Sequence, residues 1–125
     1  MTDPGEKLAR KAAEAAEDKK ADDVVILDVR EMTPIVDYFV ICSAPTRIQV
    51  QAISRAVRER LTEVGAALLR QEGGDESGWI LLDYGSVAVH IFLDELRRFY
   101  DLERLWSDAV KVIVDPVTPG NDRTQ

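Results

Sequence analysis

A four-residue turn at positions 84–87 constrains the fold of this chain more than any other feature of its sequence. Gly85 is the first of its two central residues, as a type II′ hairpin turn requires, because that position has a positive φ. The flanking segments, residues 79–84 and 87–92, are mostly apolar and are predicted to be the paired strands. A two-residue turn also determines which residues of the two strands lie opposite each other.

This register sorts the hairpin side chains onto two faces, because successive side chains alternate across a strand. The first face is nearly all apolar and suits a core: Ile80, Leu82, Tyr84, Val87, Val89 and Ile91. The second face mixes aromatic rings with a carboxylate and an imidazole: Trp79, Leu81, Asp83, Ala88, His90 and Phe92. Such a composition is typical of an interface. The pattern alone is equally compatible with a helix-covered face that contains an internal Asp83–His90 contact.

The composition limits the class of protein. A chain of 125 residues is long enough for one domain whose core needs neither disulfides nor metals. Cys42 and His90 are its only cysteine and histidine, so an ordinary structural zinc site is excluded. We expect a reduced, buried Cys42 and a cytoplasmic protein, since no segment is typical of a signal peptide or a membrane span. The net charge of −7 argues against broad binding to nucleic-acid phosphates.

The rest of the sequence predicts an α/β fold, with a single domain built on a mixed sheet of about five strands flanked by helices. The predicted elements are a helix over residues 1–20, strands over 24–29 and 38–43, a helix from Thr46 to Gly65, a strand over 66–72, the hairpin, and a helix starting near Asp94. The first helix has Asp3 as its N-cap and few large apolar residues, so we expect it to pack loosely. The α/β domain is predicted to span residues 21–108, and residues 109–125 to be an extended or disordered tail.

No set of catalytic residues can be recognised in the sequence. His90 would have to serve any histidine-dependent nucleophile, but the predicted strands place no serine or cysteine beside it. Asp22, Asp23 and Asp28 lie at the two ends of one strand and do not form a compact ligand cluster by themselves. We therefore predict no catalytic residues, no metal site, no cofactor and no enzymatic activity.

Three segments resemble the ribosomal silencing factor family, which is also known as the iojap-related family. They are ADDVVILDV at residues 21–29, DYFVICSA and TRIQVQAI within residues 37–53, and WILLDYG, VAVHIF and RRFYDLERLW within residues 79–106. The resemblance covers residues 20–107. It implies a compact α/β domain with a nucleotidyltransferase-like topology and without known catalytic residues.

The resemblance also implies a translation repressor. Members of the family bind the large ribosomal subunit through its fourteenth ribosomal protein, and thereby block joining of the small subunit when nutrients are scarce. The family's contact residues correspond to Trp79, Arg97, Arg98 and Tyr100 in this sequence. With the second hairpin face, the predicted partner-binding residues are Trp79, Leu81, Asp83, His90, Phe92, Arg97, Arg98 and Tyr100.

Several alternatives stay open at this point. The arginines could reach ribosomal RNA phosphate, or could pair with acidic neighbours on a solvated helix face. The chain could instead be a nucleotide-processing enzyme, or an adaptor that homodimerises through the same aromatic face; no membrane partner is expected. The sequence departs from the family pattern at Val36, at Ala44-Pro45 and at Ser86, where threonine, glycine and aspartate are common. None of these departures affects Trp79 or Tyr100.

Overall fold

The computed structural model describes residues 3–74, 76–101, 104 and 106–112, and contains six strands and three helices in this part of the chain. The elements are α1 (Pro4–Asp18), β1 (Asp22–Asp28), β2 (Tyr38–Ala44), α2 (Arg47–Glu63), β3 (Arg70–Glu72), β4 (Trp79–Asp83), β5 (Val87–Leu93), α3 (Asp94–Tyr100) and β6 (Val110–Val112). The predicted α/β class is confirmed. The sheet has six strands instead of about five, because residues 110–112 pair with β1.

The strands form one mixed sheet in the order β3-β4-β5-β2-β1-β6. Its central pair, β2 and β5, is parallel, and its other neighbouring strands are antiparallel. The last residues of the parallel strands, Ala44 and Leu93, are therefore paired at one end of the sheet, which we call the carboxyl end. Because β4 runs opposite to β5, its first residue, Trp79, lies near this end as well.

The hairpin of β4 and β5 has the predicted register, with Trp79 opposite Phe92. Among the described residues, Gly85 has a positive φ of +89° and Ser86 does not, which fits the predicted type II′ turn. The Asp83 carboxylate accepts a hydrogen bond of 2.9 Å from the Gly85 backbone N–H. The alternative of an internal Asp83–His90 contact is therefore wrong, because Asp83 stabilises the turn and lies opposite a different residue of β5.

Helices α1 and α2 pack together on the first face of the hairpin and its neighbouring strands, which forms the main core as predicted. The prediction that the N-terminal helix packs loosely is wrong, since its alanines are fully buried: Ala9, Ala12, Ala13 and Ala16. Small side chains let the helix backbone approach the sheet closely, so large apolar residues are not needed there. The Asp3 carboxylate accepts a 2.8 Å hydrogen bond from the Tyr38 hydroxyl, which ties the start of α1 to β2.

Helix α2 begins and ends at the predicted residues. The Thr46 hydroxyl accepts a hydrogen bond of 3.2 Å from the Gln49 backbone N–H, and Gly65 follows the helix with a φ of +85°. The buried apolar stripe of this helix runs from Val50 to Leu61, and Val64 after it is exposed. Cys42 is buried in β2, as predicted.

The predicted third strand is shorter than expected, because only residues 70–72 pair with β4. The division of the chain at residues 20 and 108 stays a prediction, and residues 113–125 of the predicted tail lie outside the described part of the chain. No helix in that described part is long and apolar enough to cross a membrane.

Candidate partner-binding surface

The second face of the sheet differs from the first in what covers it. Both long helices pack on the first face, whereas the second face is covered in part by α3 and by the segment that contains Trp106 and Ala109. A smaller apolar cluster forms there around Phe92 and Ile41. Its partly exposed members include Trp79, which lies at the carboxyl end next to α3.

Four aromatic rings from β4, β5 and α3 form one connected group, which we call the aromatic cluster: Trp79, Phe92, Phe99 and Tyr100. The Trp79 ring stacks on Phe92 with centroids 5.0 Å apart and planes 28° apart, and lies 5.0 Å from Tyr100. Phe92 is completely buried, while Tyr100 is 48% and Phe99 78% exposed. The cluster therefore has a buried base and an exposed rim.

His90 supports this cluster through a hydrogen bond to Trp79. The Trp79 indole N–H donates to His90 Nδ1 at 3.1 Å, so the imidazole is neutral and carries its proton on Nε2. His90 is 7% exposed, and burial lowers its pKa to about 4. Its Nε2 is buried without a hydrogen-bond partner among the described residues. His90 thus orients the tryptophan from below, and its predicted direct contact with a partner is not supported by this geometry.

The adjacent arginines of α3 differ in burial. Arg98 is exposed, whereas Arg97 is 8% exposed and donates from Nη1 to the Ser43 hydroxyl at 3.1 Å and to the Asp22 carbonyl at 3.2 Å. The expectation that Arg97 touches a partner therefore needs correction, because its guanidinium is used inside the protein. The same correction applies to Phe92, which has no accessible surface with which to touch a partner.

The remaining predicted residues are distributed along β4. Leu81 is half-buried on the same face as Trp79, one pleat further along the strand. Asp83 lies roughly 13 Å along the strand from Trp79, since it is four residue steps further along the chain. The structure thus groups Trp79, Leu81 and Tyr100, and it leaves Asp83 at the turn.

The sequence prediction missed Phe99 and Phe39 as parts of this surface. Phe99 directly precedes Tyr100 and is more exposed than that residue. Its exposure depends on where α3 packs, which the sequence of the helix alone does not show. Phe39 belongs to β2, and its ring lies 5.1 Å from His90. Only the parallel pairing of β2 with β5, which links residues far apart in the sequence, brings Phe39 to this face.

An open cavity of about 660 Å³ lies at the carboxyl end, beside α3. Asp22, Asp23 and Asp94 line it together with Arg97, Arg98 and Lys111. The negative charge of Asp94 and a side-chain hydrogen bond between the two carboxyls raise the pKa of Asp22, so the Asp22 carboxyl holds its proton more readily than an isolated aspartate. Within the described residues, no group of three or more histidine, cysteine, aspartate or glutamate side chains is arranged so that it could hold a metal ion.

Asp28, the third carboxylate considered from the sequence, lies at the other end of β1. It accepts hydrogen bonds from Arg30, which lower its pKa. The three aspartates therefore do not form one site.

The chain matches known proteins over most of its length. The family model described as "Ribosomal silencing factor during starvation" matches residues 2–125. Ribosomal silencing factor RsfS of Bacillus subtilis is 43% identical over 98 residues, which are 78% of this chain and 83% of that protein. A crystal structure of a Chromobacterium violaceum protein has a TM-score of 0.78 at 34% identity, covering 82% of this chain and 85% of that one. A crystal structure from Bacillus halodurans has a TM-score of 0.76 at 36% identity, covering 86% and 98%.

Proposed function

Because this chain belongs to the ribosomal silencing factor family, we propose that it represses translation by docking on the large ribosomal subunit. In this proposal the docked protein prevents the small subunit from joining, and its contact is the fourteenth ribosomal protein of the large subunit. The observation that carries the proposal is the aromatic cluster, whose exposed rim rests on the buried Phe92 ring.

The geometry of the cluster supports docking for a physical reason. Aromatic side chains near the centre of an interface supply most of the binding energy in many complexes. Trp79 is held by stacking on Phe92 and by its hydrogen bond to His90, so little side-chain freedom is lost when a partner covers it. A preorganised aromatic anchor of this kind binds a complementary protein surface at low entropic cost.

The predicted contact residues therefore have three different roles. Trp79, Leu81 and Tyr100 are proposed to touch the partner, together with Phe99 and Arg98 at the rim. Phe92 and His90 are proposed to support these side chains from below. Asp83 stabilises the turn and lies at the periphery of the proposed contact. A contact between Arg98 and ribosomal RNA phosphate remains part of the proposal, since this guanidinium is exposed.

The decisive experiment compares binding with stability for three alanine variants. Trp79→Ala and Tyr100→Ala should each remain folded and lose co-sedimentation with purified large subunits, with affinities about 30-fold weaker, because truncated aromatic anchors cost about 2 kcal/mol. Leu82→Ala is the control, since Leu82 lies in the main core and its truncation should cost about 2–5 kcal/mol of stability. Melting temperatures of all three variants are measured alongside binding.

Two results would contradict the proposal. Early melting of Trp79→Ala and Tyr100→Ala, comparable to that of Leu82→Ala, would mean that these rings serve the core. Stable variants with unchanged affinity would place the docking surface elsewhere on the molecule. The identity of the contact is tested separately, by measuring whether the isolated fourteenth ribosomal protein binds the wild-type chain and competes with large subunits for it.

A further inference from the structure

Helix α3 carries the exposed rim of the aromatic cluster but is too short to be stable alone. It contains seven residues and is followed by the capping residue Asp101, which has a left-handed φ of +50°. Isolated helices shorter than about 12 residues are marginal in water. The orientation of Arg98, Phe99 and Tyr100 therefore depends on how the rest of the protein holds this helix.

Arg97 joins α3 to two strands of the sheet. Its Nη1 atom donates to the Ser43 hydroxyl of β2 and to the Asp22 carbonyl of β1, residues 54 and 75 positions away in the sequence. Ser43 is 2% exposed, so both members of this hydrogen bond are buried. A buried guanidinium is retained only where hydrogen bonds replace its hydration, which makes its position specific.

A glycine holds the same helix from the side of β4. The Leu93 backbone N–H at the start of α3 donates to the Gly78 carbonyl at 2.7 Å. A Cβ atom at Gly78 would overlap Leu96 Cδ1 and lie 3.0 Å from Leu93 Cδ1, so Leu96 packs directly on the glycine backbone. Gly78 immediately precedes Trp79, and thus the helix and the tryptophan are positioned by neighbouring contacts.

We propose that Arg97 and its buried acceptor Ser43 are positioning residues for docking: they hold α3 so that Tyr100 and Arg98 meet the partner beside Trp79. This inference rests on the proposed docking function and gives Arg97 a role other than direct contact. In this orientation of the helix, the centroids of the Trp79 and Tyr100 rings are 5.0 Å apart. Without the anchor, ordering α3 would oppose binding, because the free helix would sample other positions.

The test measures affinity for purified large subunits and amide hydrogen exchange in α3. Arg97→Met retains the aliphatic stem without the hydrogen bonds, and should bind about tenfold more weakly while α3 exchanges faster and α2 does not. Ser43→Ala should weaken binding in the same direction although Ser43 cannot reach a partner. The Arg97→Met, Ser43→Ala double variant should bind large subunits about as weakly as Arg97→Met alone, since both substitutions remove the same hydrogen bond.

Two further variants keep the outcome interpretable. Arg97→Lys retains the charge and can restore one of the hydrogen bonds, so it should recover part of the affinity. If Arg97→Met does not fold, the same measurements are made on Arg97→Lys and Ser43→Ala instead. Arg98→Met is the matched control, because Arg98 is exposed: it should weaken binding without faster exchange in α3.

Each contrary result has a distinct meaning. Unchanged affinity and unchanged α3 exchange in Arg97→Met would overturn the positioning role. Normal binding by Ser43→Ala, together with weakened binding by Arg97→Met, would overturn it in favour of direct contact by Arg97. If Trp79→Ala and Tyr100→Ala bind like the wild type, the docking proposal fails; hydrogen exchange then still reports whether Arg97 holds α3, so the two failures are distinguishable.

Discussion

The pairing of Trp79 with His90 explains how the protein's only histidine can be important without acting as an acid or a base. The imidazole accepts a hydrogen bond through Nδ1, and this requires the neutral ring. A protonated His90 would present an N–H to the indole N–H and would lose the contact. Burial keeps the ring neutral, because the charged form is poorly solvated at this position.

The free energy of unfolding should therefore depend on pH through His90. The folded-state pKa of about 4 lies below the ordinary value of 6.5, so between these values the unfolded chain binds a proton that the folded chain does not. Stability is then complete above pH 6.5 and falls as the pH drops toward 4, by up to about 3 kcal/mol. Denaturant unfolding at several pH values between roughly 4.5 and 7 measures how steeply the free energy of unfolding depends on pH.

His90→Asn is the matched control for this measurement. Asparagine does not titrate, and its side-chain oxygen can accept the Trp79 N–H in place of Nδ1. The variant should show a clearly flatter dependence of stability on pH than the wild type. Equal slopes in the two proteins would mean that the pKa of His90 is not lowered in the folded protein, which would contradict the neutral, buried ring.

At the level of elements, the sequence predicted the features that depend on contacts between residues close together in the chain. The hairpin register followed from two turn residues, and the α2 boundaries from Thr46 and Gly65. The anchoring of Arg97 could not be predicted, because its acceptors lie on strands more than 50 residues away. Phe92 could not be assigned to the base of the cluster for a similar reason, since its burial depends on where α3 packs.

Strand β6 lies within residues 109–125, which were predicted from the sequence to be an extended or disordered tail. Residues 110–112 pair with Ile26, Leu27 and Asp28 at the edge of the sheet. A chain that ends at Ala109 should lose this pairing and about 1–2 kcal/mol of stability. A chain that ends at Asp115 is the matched control and should melt like the full-length protein. Equal melting temperatures for both truncations would show that β6 contributes no stability in solution.

At the level of the whole molecule, the charge distribution favours a protein contact over a nucleic-acid contact. The chain has a formal net charge of −7, so ribosomal RNA repels it at long range. A basic ribosomal protein would instead attract it, and the aromatic cluster would then supply short-range affinity. The proposed docking would therefore centre on a ribosomal protein and not on RNA.

The proposed steric mechanism differs from catalysis in its stoichiometry, because each bound molecule blocks one large subunit. Large subunits incubated with increasing amounts of the protein and then mixed with small subunits should fail to join in proportion to the protein bound, with saturation near one molecule per subunit. Removing the protein by a high-salt wash should restore joining, because no covalent change has occurred. Gradient sedimentation measures the joined fraction.

The Trp79→Ala variant is the control for this titration and should leave subunit joining unaffected at the same concentrations. An enzyme that modified the subunit would act below stoichiometric amounts, and its effect would persist after the wash. Such a result would contradict both the proposed mechanism and the prediction that the protein is not an enzyme. The aspartates that line the cavity beside α3, among them Asp22 and Asp94, would then become the first residues to substitute.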